Sequence, residues 1–583
     1  MPRASRSSAP KKPQRTASAD GTMTHRQVLE ALSGLLLGMF VSILAGTVVA
    51  TSLPLIISEL KGDQSAYTWV VTSTLLATTV STPLWGKFAD LFNRKLLIQL
   101  SLGLFVIGSA AAGFSQNTDT LILFRVLQGL GGGGLAALSQ IIMADIISPR
   151  DRGKYAGLFG GVMAVGTVGG PLLGGLVTDS LGWRWNFFIA LPIAIIAIVL
   201  LQRTLHLPKQ PKRKVHIDYL GAMLIAAGVS LLLIWVSLAG TQFDWISVPS
   251  LLMVLGSVIL LVGAVVVELK SPEPIIPLGM FKSRTFTLSV IASISVGVSM
   301  FGTSVFLAQY MQLARGATPT ESGLLTIPMM AGLLISSTVF GGMISRRGKW
   351  KAIMVTGAVL TVIGSVLLGT LHYDTNLVLV GIYMAVLGAG LGMLMQNLVL
   401  VVQNTIEVRN LGVATSAVTF FRSLGGTIGV SVLGSVLGTV VAQSIKENIA
   451  ALAPADQALA GKYLGSGTIP QINQLPEVLQ TVVESAYGSG VGFVFLCAVP
   501  LTLVTLIATI FIPNAPLGKL NAVQLKKQPV DTSHDRDDAS DILIDVSTAS
   551  VALPPVGLAN PTGQIPAVKQ GDNGATPAPK RMP

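Results

Sequence analysis

The sequence predicts an all-α polytopic membrane protein of fourteen spans, and three observations carry that prediction. Of 583 residues, 51% are hydrophobic and only 11% charged, with a mean hydropathy of +0.68, whereas soluble domains carry about 25% charged residues. The apolar residues fall in long uninterrupted runs, many of about 20 residues, the length a helix needs to cross a bilayer core. They do not alternate, which excludes a membrane β-barrel. Lys and Arg collect in nearly every second connecting segment, as the positive-inside rule requires of a chain that crosses back and forth.

The spans fall near 30–58, 67–89, 95–115, 121–146, 154–178, 185–204, 218–240, 248–269, 285–313, 321–345, 351–372, 376–404, 411–443 and 487–512. The basic segments are residues 1–26, Lys87 to Lys95, Arg150 to Lys154, Arg203 to Lys214, Lys282 with Arg284, and Arg346 to Lys351. Both termini are therefore expected in the cytoplasm, with the chain in the plasma (inner) membrane. The expected domains are a basic tail (1–29), a six-helix bundle (30–204), a connector with two extra spans (205–270), a second six-helix bundle (271–512) and a polar tail (513–583). The second bundle carries an external loop at 444–486, with an Ala-rich start of helical character. Both tails are expected to be disordered. The first apolar stretch is too long for a cleavable signal.

The net charge of +12 is scattered over the connecting segments instead of forming one patch, so no nucleic-acid partner is expected. The single cysteine, Cys497, excludes an intrachain disulfide and a multi-cysteine metal site. No phosphate-binding loop Gly-x-x-x-x-Gly-Lys-Ser/Thr occurs, which argues against ATP as the energy source. Neither a His/Glu metal pair nor a Ser/His/Asp set stands out, so no enzyme, metal or cofactor is expected.

Three motifs carry chemistry. The fifth span holds a frame of Gly157, Gly166, Gly170, Pro171, Gly174 and Gly175, with three glycines on one helical row where a neighbouring helix can approach closely. Pro171 is expected to bend that helix. After the second span comes Gly86-Lys-Phe-Ala-Asp90-Leu-Phe-Asn93-Arg94-Lys95, a turn with an acid and two bases. The fourth span holds Arg125-Val-Leu-Gln128-Gly129-Leu-Gly131. Arginine at a bilayer centre costs roughly 2.5–3.5 kcal/mol on insertion scales, so Arg125 is a functional candidate by default, unless it snorkels to the headgroups. The run from Gly129 to Gly134 matches a dinucleotide pattern but lacks its strand and acid, and reads as helix packing.

In order and spacing these motifs resemble those of the major facilitator superfamily. With fourteen spans and Gly182-Trp-Arg-Trp-Asn-Phe-Phe opening the sixth, the chain is similar to the EmrB/QacA-type drug:proton antiporters over roughly residues 30–512. The resemblance implies two pseudo-symmetric bundles and a central cavity open alternately to either side. It implies export of hydrophobic or amphipathic drugs, antibiotics or lipid-like compounds in exchange for protons, by a monomer. It also implies that Gly86, Asp90, Arg94 and Lys95, with Asp145, form a conformational latch; the bland alternative is that these charges only orient the chain. A second copy of the loop motif, from Gly342 to Lys349, lacks the acid.

One departure bears on coupling. Many relatives of this type carry an aspartate in span one where this chain has Ala45, and no acid lies near the middle of any span. Asp145 and Glu321, toward helix ends, are the remaining candidates for a proton site, because desolvation raises a carboxyl pKa. Thr47, Thr51, Gln309, Tyr310, Gln312, Met329, Gln396, Asn397 and Arg422 are the candidates for lining a largely neutral substrate cavity. A proton-independent or symport-type transporter of an endogenous metabolite is the second reading, and a non-transporting membrane sensor the third.

Overall fold

Why the spans form where they do is visible in the computed structural model, which describes residues 25–61, 64–205, 218–460 apart from 241, 455 and 458, and 475–518. The described residues belong to one compact unit. Both expected tails, except for residues 25–29 and 513–518, lie outside the described residues, as do residues 206–217 of the connector. The described chain is helical, with one isolated β-bridge between Ala239 and Phe243.

The first bundle comprises α1 (His25–Glu59), α2 (Gln64–Leu91), α3 (Arg94–Gly113), α4 (Thr118–Ile146), α5 (Ala156–Leu181), α6 (Trp185–Phe188) and α7 (Ala190–Thr204). Two further helices follow, α8 (Tyr219–Leu238) and α9 (Val248–Lys270). The second bundle comprises α10 (Arg284–Gln309), α11 (Pro319–Leu325), α12 (Ile327–Arg347), α13 (Lys351–Leu368), α14 (Leu377–Thr405), α15 (Leu411–Ala450) and α16 (Glu477–Phe511). Asparagines cap several starts: the Asn93, Asn117 and Asn376 side chains accept from the backbone N–H of Lys95, Thr120 and Val378, meeting donors that a helix start leaves unpaired.

Thirteen helical stretches among the described residues are long and apolar enough to cross a membrane. α2 is not among them, although it has 28 residues, because Thr and Ser occupy much of it. Two of its hydroxyls bond inside the protein: Thr78 and Ser81 donate to the carbonyls of Gly129 and Leu130 on α4 at 3.1 and 3.3 Å. By contrast α9 is almost wholly apolar, and its Leu252, Ile259 and Leu269 are 64%, 68% and 68% exposed. Such a surface is covered by lipid.

Each bundle has its own apolar core, one built from α1, α3, α4, α5 and α7, the other chiefly from α10, α12, α13, α14 and α16. α8 and α9 pack against neither core. They join a separate cluster, with Ile225, Val229 and Leu233 meeting Leu76 and Val80 of α2 and Phe420 of α15. The bundles meet along two seams, α2 against α15 and α5 against α12.

Three expected spans differ in detail. The sixth is divided at Ile189 into α6 and α7, and the tenth at Thr326 into α11 and α12, where Pro328 opens the new helix. The ninth ends in a π-helical turn (Tyr310–Ala314). The external loop expected at 444–486 is shorter, because α15 runs to Ala450 and α16 begins at Glu477. These extensions are polar helix formers, which hydropathy does not assign to a span, and Gln480 bonds Glu484 one turn on at 2.8 Å. Residues 461–474 lie outside the described residues.

Candidate functional site

The charged turn after α2 lies at the end of the bundles where Lys and Arg concentrate, here called the basic end. Asp90, Arg94 and Asp145 are buried there together. Arg94 donates to Asp90 at 3.0 Å, to Asp145, and through Nε to the Ala89 carbonyl at 2.8 Å. The Asp90 carboxylate reaches across the seam as well. It accepts from the backbone N–H groups of Gly412 and Val413, each at 2.9 Å, so it occupies the N-terminus of α15, where unpaired donors and the helix dipole favour an anion. Gly86 allows this approach, since a Cβ there would collide with the Ser416 side chain and approach the Gly412 carbonyl. Lys95 stays within its own bundle, donating to the Gln202 carbonyl at 2.8 Å.

The second seam is closed by residues of the α4–α5 connection. Gly153 abuts the carbonyl of Gly341, and Gly157 abuts Thr338, both on α12. Arg150 donates to the carbonyls of Ser345 and Arg346 at 3.3 Å each, a cation on the C-terminus of α12. Asp151 is held below the usual carboxylate range: partial burial opposes its charge, but hydrogen bonds from Lys154 and Ser148 and the charges of Lys154 and Arg150 outweigh it. Buried Arg152 donates to Gln403 of α14 and to the carbonyls of Ile147 and Ala144 at 3.1 Å each. Gln140 and Gln396 meet across the bundles at 3.3 Å.

Residues 515–518 lie over this same closure. Trp350 Nε1 donates to the Ala515 carbonyl at 2.8 Å, Asn404 bonds both the Pro516 carbonyl and the Gly518 N–H, and the Arg150 N–H donates to the Gly518 carbonyl at 3.2 Å. The segment thus ties Trp350 and Asn404 of the second bundle to Arg150 of the first.

The glycine frame divides between two tasks. Only Gly157 lies at the seam between bundles. A Cβ at Gly166, Gly170 or Gly174 would collide with Ile43, Thr47 or Val48 of α1, so the glycine row fixes a helix pair inside one bundle instead of a moving interface. Gly175 faces open space, and α5 continues through Pro171 as helix to Leu181.

Arg125 is buried, with Nη1 donating to Gln128 Oε1 at 2.8 Å and Nε to the Val70 carbonyl at 3.3 Å. Gln128 Nε2 is buried without a partner. Gly129 lets α2 approach, since a Cβ there would strike the Thr74 carbonyl. Of the two candidate proton sites, Asp145 is buried against Arg94. Glu321 is exposed, and its carboxylate closes a capping box with Thr318 at the start of α11; it does not reach the interior.

The cavity candidates scatter for physical reasons. Tyr310 is fully buried and donates to the His372 carbonyl at 2.7 Å, and Met329 packs in the core where Gly388 meets its backbone. Thr47 donates to the Gly166 carbonyl at 3.0 Å in the α1–α5 contact. The side chain of Thr51 lies outside the described residues. Gln396 and Asn397 line a small recess with Arg152, Gln403, Met143 and Leu400 near the basic end. Gln309 and Gln312 are half-buried where α10 ends, and the Gln309 Oε1 atom is buried without a partner. Arg422 is half-buried inside α15. Sequence reasoning missed Arg152, Gln403 and Gly412, because a basic loop reads as topology and a lone glycine near a helix start carries no sign of its distant partner.

The Major Facilitator Superfamily profile matches residues 35–430. The chain is 35% identical over 459 residues to the multidrug transporter protein MdtP of Bacillus subtilis, covering 79% of this chain and 80% of that one. It is 31% identical over 501 residues to multidrug resistance protein 3 of the same organism, covering 85% and 96%. In fold it is similar to the proton:xylose symporter XylE, with a TM-score of 0.56 at 14% identity over 87% of this chain and all of that one. With two helical bundles meeting along two glycine-lined seams, a matched family profile and these relatives, the chain belongs to the major facilitator superfamily and is a multi-pass membrane transporter, not an enzyme.

Proposed function

We propose that this transporter exports hydrophobic or amphipathic compounds, such as drugs, antibiotics or lipid-like molecules, in exchange for protons. One observation carries the reading: at the basic end the bundles are joined by polar contacts that can break and re-form, above all the Asp90 carboxylate on the N-terminus of α15. Taking the basic end as cytoplasmic, this is the closed inner side of an alternating-access cycle, and Gly86, Asp90, Arg94 and Asp145 are its latch. The multidrug transporters among its relatives support export. With α2 counted as the fourteenth span, both termini fall on the cytoplasmic side of the plasma membrane, and the topology is that of the EmrB/QacA-like antiporters, acting as monomers.

We assign the proton to Asp145, the buried acid that shares Arg94 with the latch residue Asp90. Export of an amphipathic fluorophore from cells expressing the chain, with and without a protonophore, tests the reading. Export that survives collapse of the proton gradient contradicts antiport. The second reading, proton-independent transport of a metabolite, is favoured by buried Ala45 in span one, where no titratable group stands; it predicts no export of any amphiphile.

A further inference from the structure

Arg422 is the most deeply placed charge in the described helices. It lies 11 residues beyond Leu411 at the start of α15, roughly 16 Å along the axis at 1.5 Å per residue, near the midplane of a bilayer core about 30 Å thick. No aspartate or glutamate among the described residues lies more than seven residues from the end of its helix, the farthest being Glu484 in α16. Arg422 makes no hydrogen bond or ion pair among the described residues. α15 packs against α2, α4, α8, α10, α14 and α16, and the Arg422 side chain it carries is half-buried.

The neighbouring helix adds hydroxyls, each able to donate to an anion. α10 touches the Arg422 backbone at Gly297, and the same α10 row carries Ser289 and Ser293 at four-residue intervals. Both hydroxyls are fully buried and have no partner. An unneutralised guanidinium is complementary to an oxyanion, and repels a cation.

We propose that Arg422 binds the acidic group of an amphipathic cargo at mid-membrane, so that the transporter selects acidic amphiphiles over lipophilic cations. The proposal rests on the export reading and assigns its substrate class. It also lightens the demand on a proton site: an anion leaving an inside-negative cell is favoured roughly fifty-fold per 100 mV, a drive that a cation exchanged for a proton does not have.

Three compounds with one apolar body separate the outcomes: pyrenebutyrate, its uncharged amide, and the cationic pyrenebutylamine. Binding to the detergent-purified protein and transport in proteoliposomes are measured for wild type, Arg422→Gln and Arg422→Lys. The expected result is at least tenfold preference for the carboxylate over the amine, lost in Arg422→Gln and partly kept in Arg422→Lys, with an unchanged melting temperature and elution profile showing that the variants fold. Equal handling of carboxylate and amine, or an unaltered preference in Arg422→Gln, overturns the proposal, as does a protein that binds none of the three. If the amine or amide is transported while the carboxylate is neither bound nor moved, export stands and the proposal falls. If the carboxylate binds through Arg422 but nothing is transported, the anion site stands and the export reading falls.

Discussion

Replacing Asp90 by asparagine removes the charge that the first bundle places on the N-terminus of α15. In the closed state the carboxylate accepts from Arg94, Gly412 and Val413 at 3.0, 2.9 and 2.9 Å. Asparagine keeps one neutral acceptor, so one bond to α15 survives in weaker form and the other is lost. A hydrogen bond to a charged group contributes about 1.5–3 kcal/mol and an anion on a partly buried helix N-terminus up to about 2 kcal/mol. Because the bonds to α15 form only when the basic end is closed, their weakening by about 2–4 kcal/mol shifts the balance toward the open state roughly 30- to 700-fold. Spin labels at exposed Lys154 and Arg347, in a chain whose one cysteine, Cys497, is replaced by serine, report the separation across the other seam. Asp90→Asn is expected to replace the short distance by a longer one and to slow transport with normal membrane insertion. A folded variant with the wild-type distance distribution and unaltered transport refutes the latch.

Further outcomes follow from the same contacts. Gly86→Val is expected to abolish transport and hold the labelled seam open, because its side chain occupies the space of Ser416. Gly170→Leu is expected to act on stability instead, lowering the melting temperature by an overpacking cost of about 1–3 kcal/mol where α5 meets Thr47, without biasing the seam. Deleting residues 515–583 removes the bonds to Trp350, Asn404 and Arg150; the same label pair is expected to show a larger open fraction. Asp145→Asn is expected to abolish substrate-induced proton movement and Glu321→Gln to leave it intact, since glutamine also serves a capping box; a pH-sensitive dye in proteoliposomes reads both.

The sequence announces the helices because a bilayer imposes length and composition on each span separately. It announces the latch charges for a similar reason, since an acid and two bases at a tight turn stand out locally. What it hides is pairing. That Gly170 meets Thr47 while Gly157 meets Thr338 depends on which helix passes alongside, and glycine spacing is identical in either case. Polar residues were ambiguous in the same way: Tyr310, Thr47 and Gln396 look equally fit to line a cavity, yet Tyr310 is spent on the His372 carbonyl and Thr47 on that of Gly166. Glu321 belongs to a capping box, for which Thr318 three residues earlier is the local sign. α2, expected at 67–89, is legible although rich in hydroxyls, but its place between α4 and α15 is not.

Coupling of cargo to protons through a closing basic end is tested most directly with purified protein in proteoliposomes, the membrane potential clamped at zero and a pH gradient imposed. The account predicts that an amphipathic cargo accumulates against its own gradient while protons move the opposite way, and that Asp145→Asn loses both. Movement of the cargo only to equal concentrations on the two sides, indifferent to the pH gradient, contradicts it.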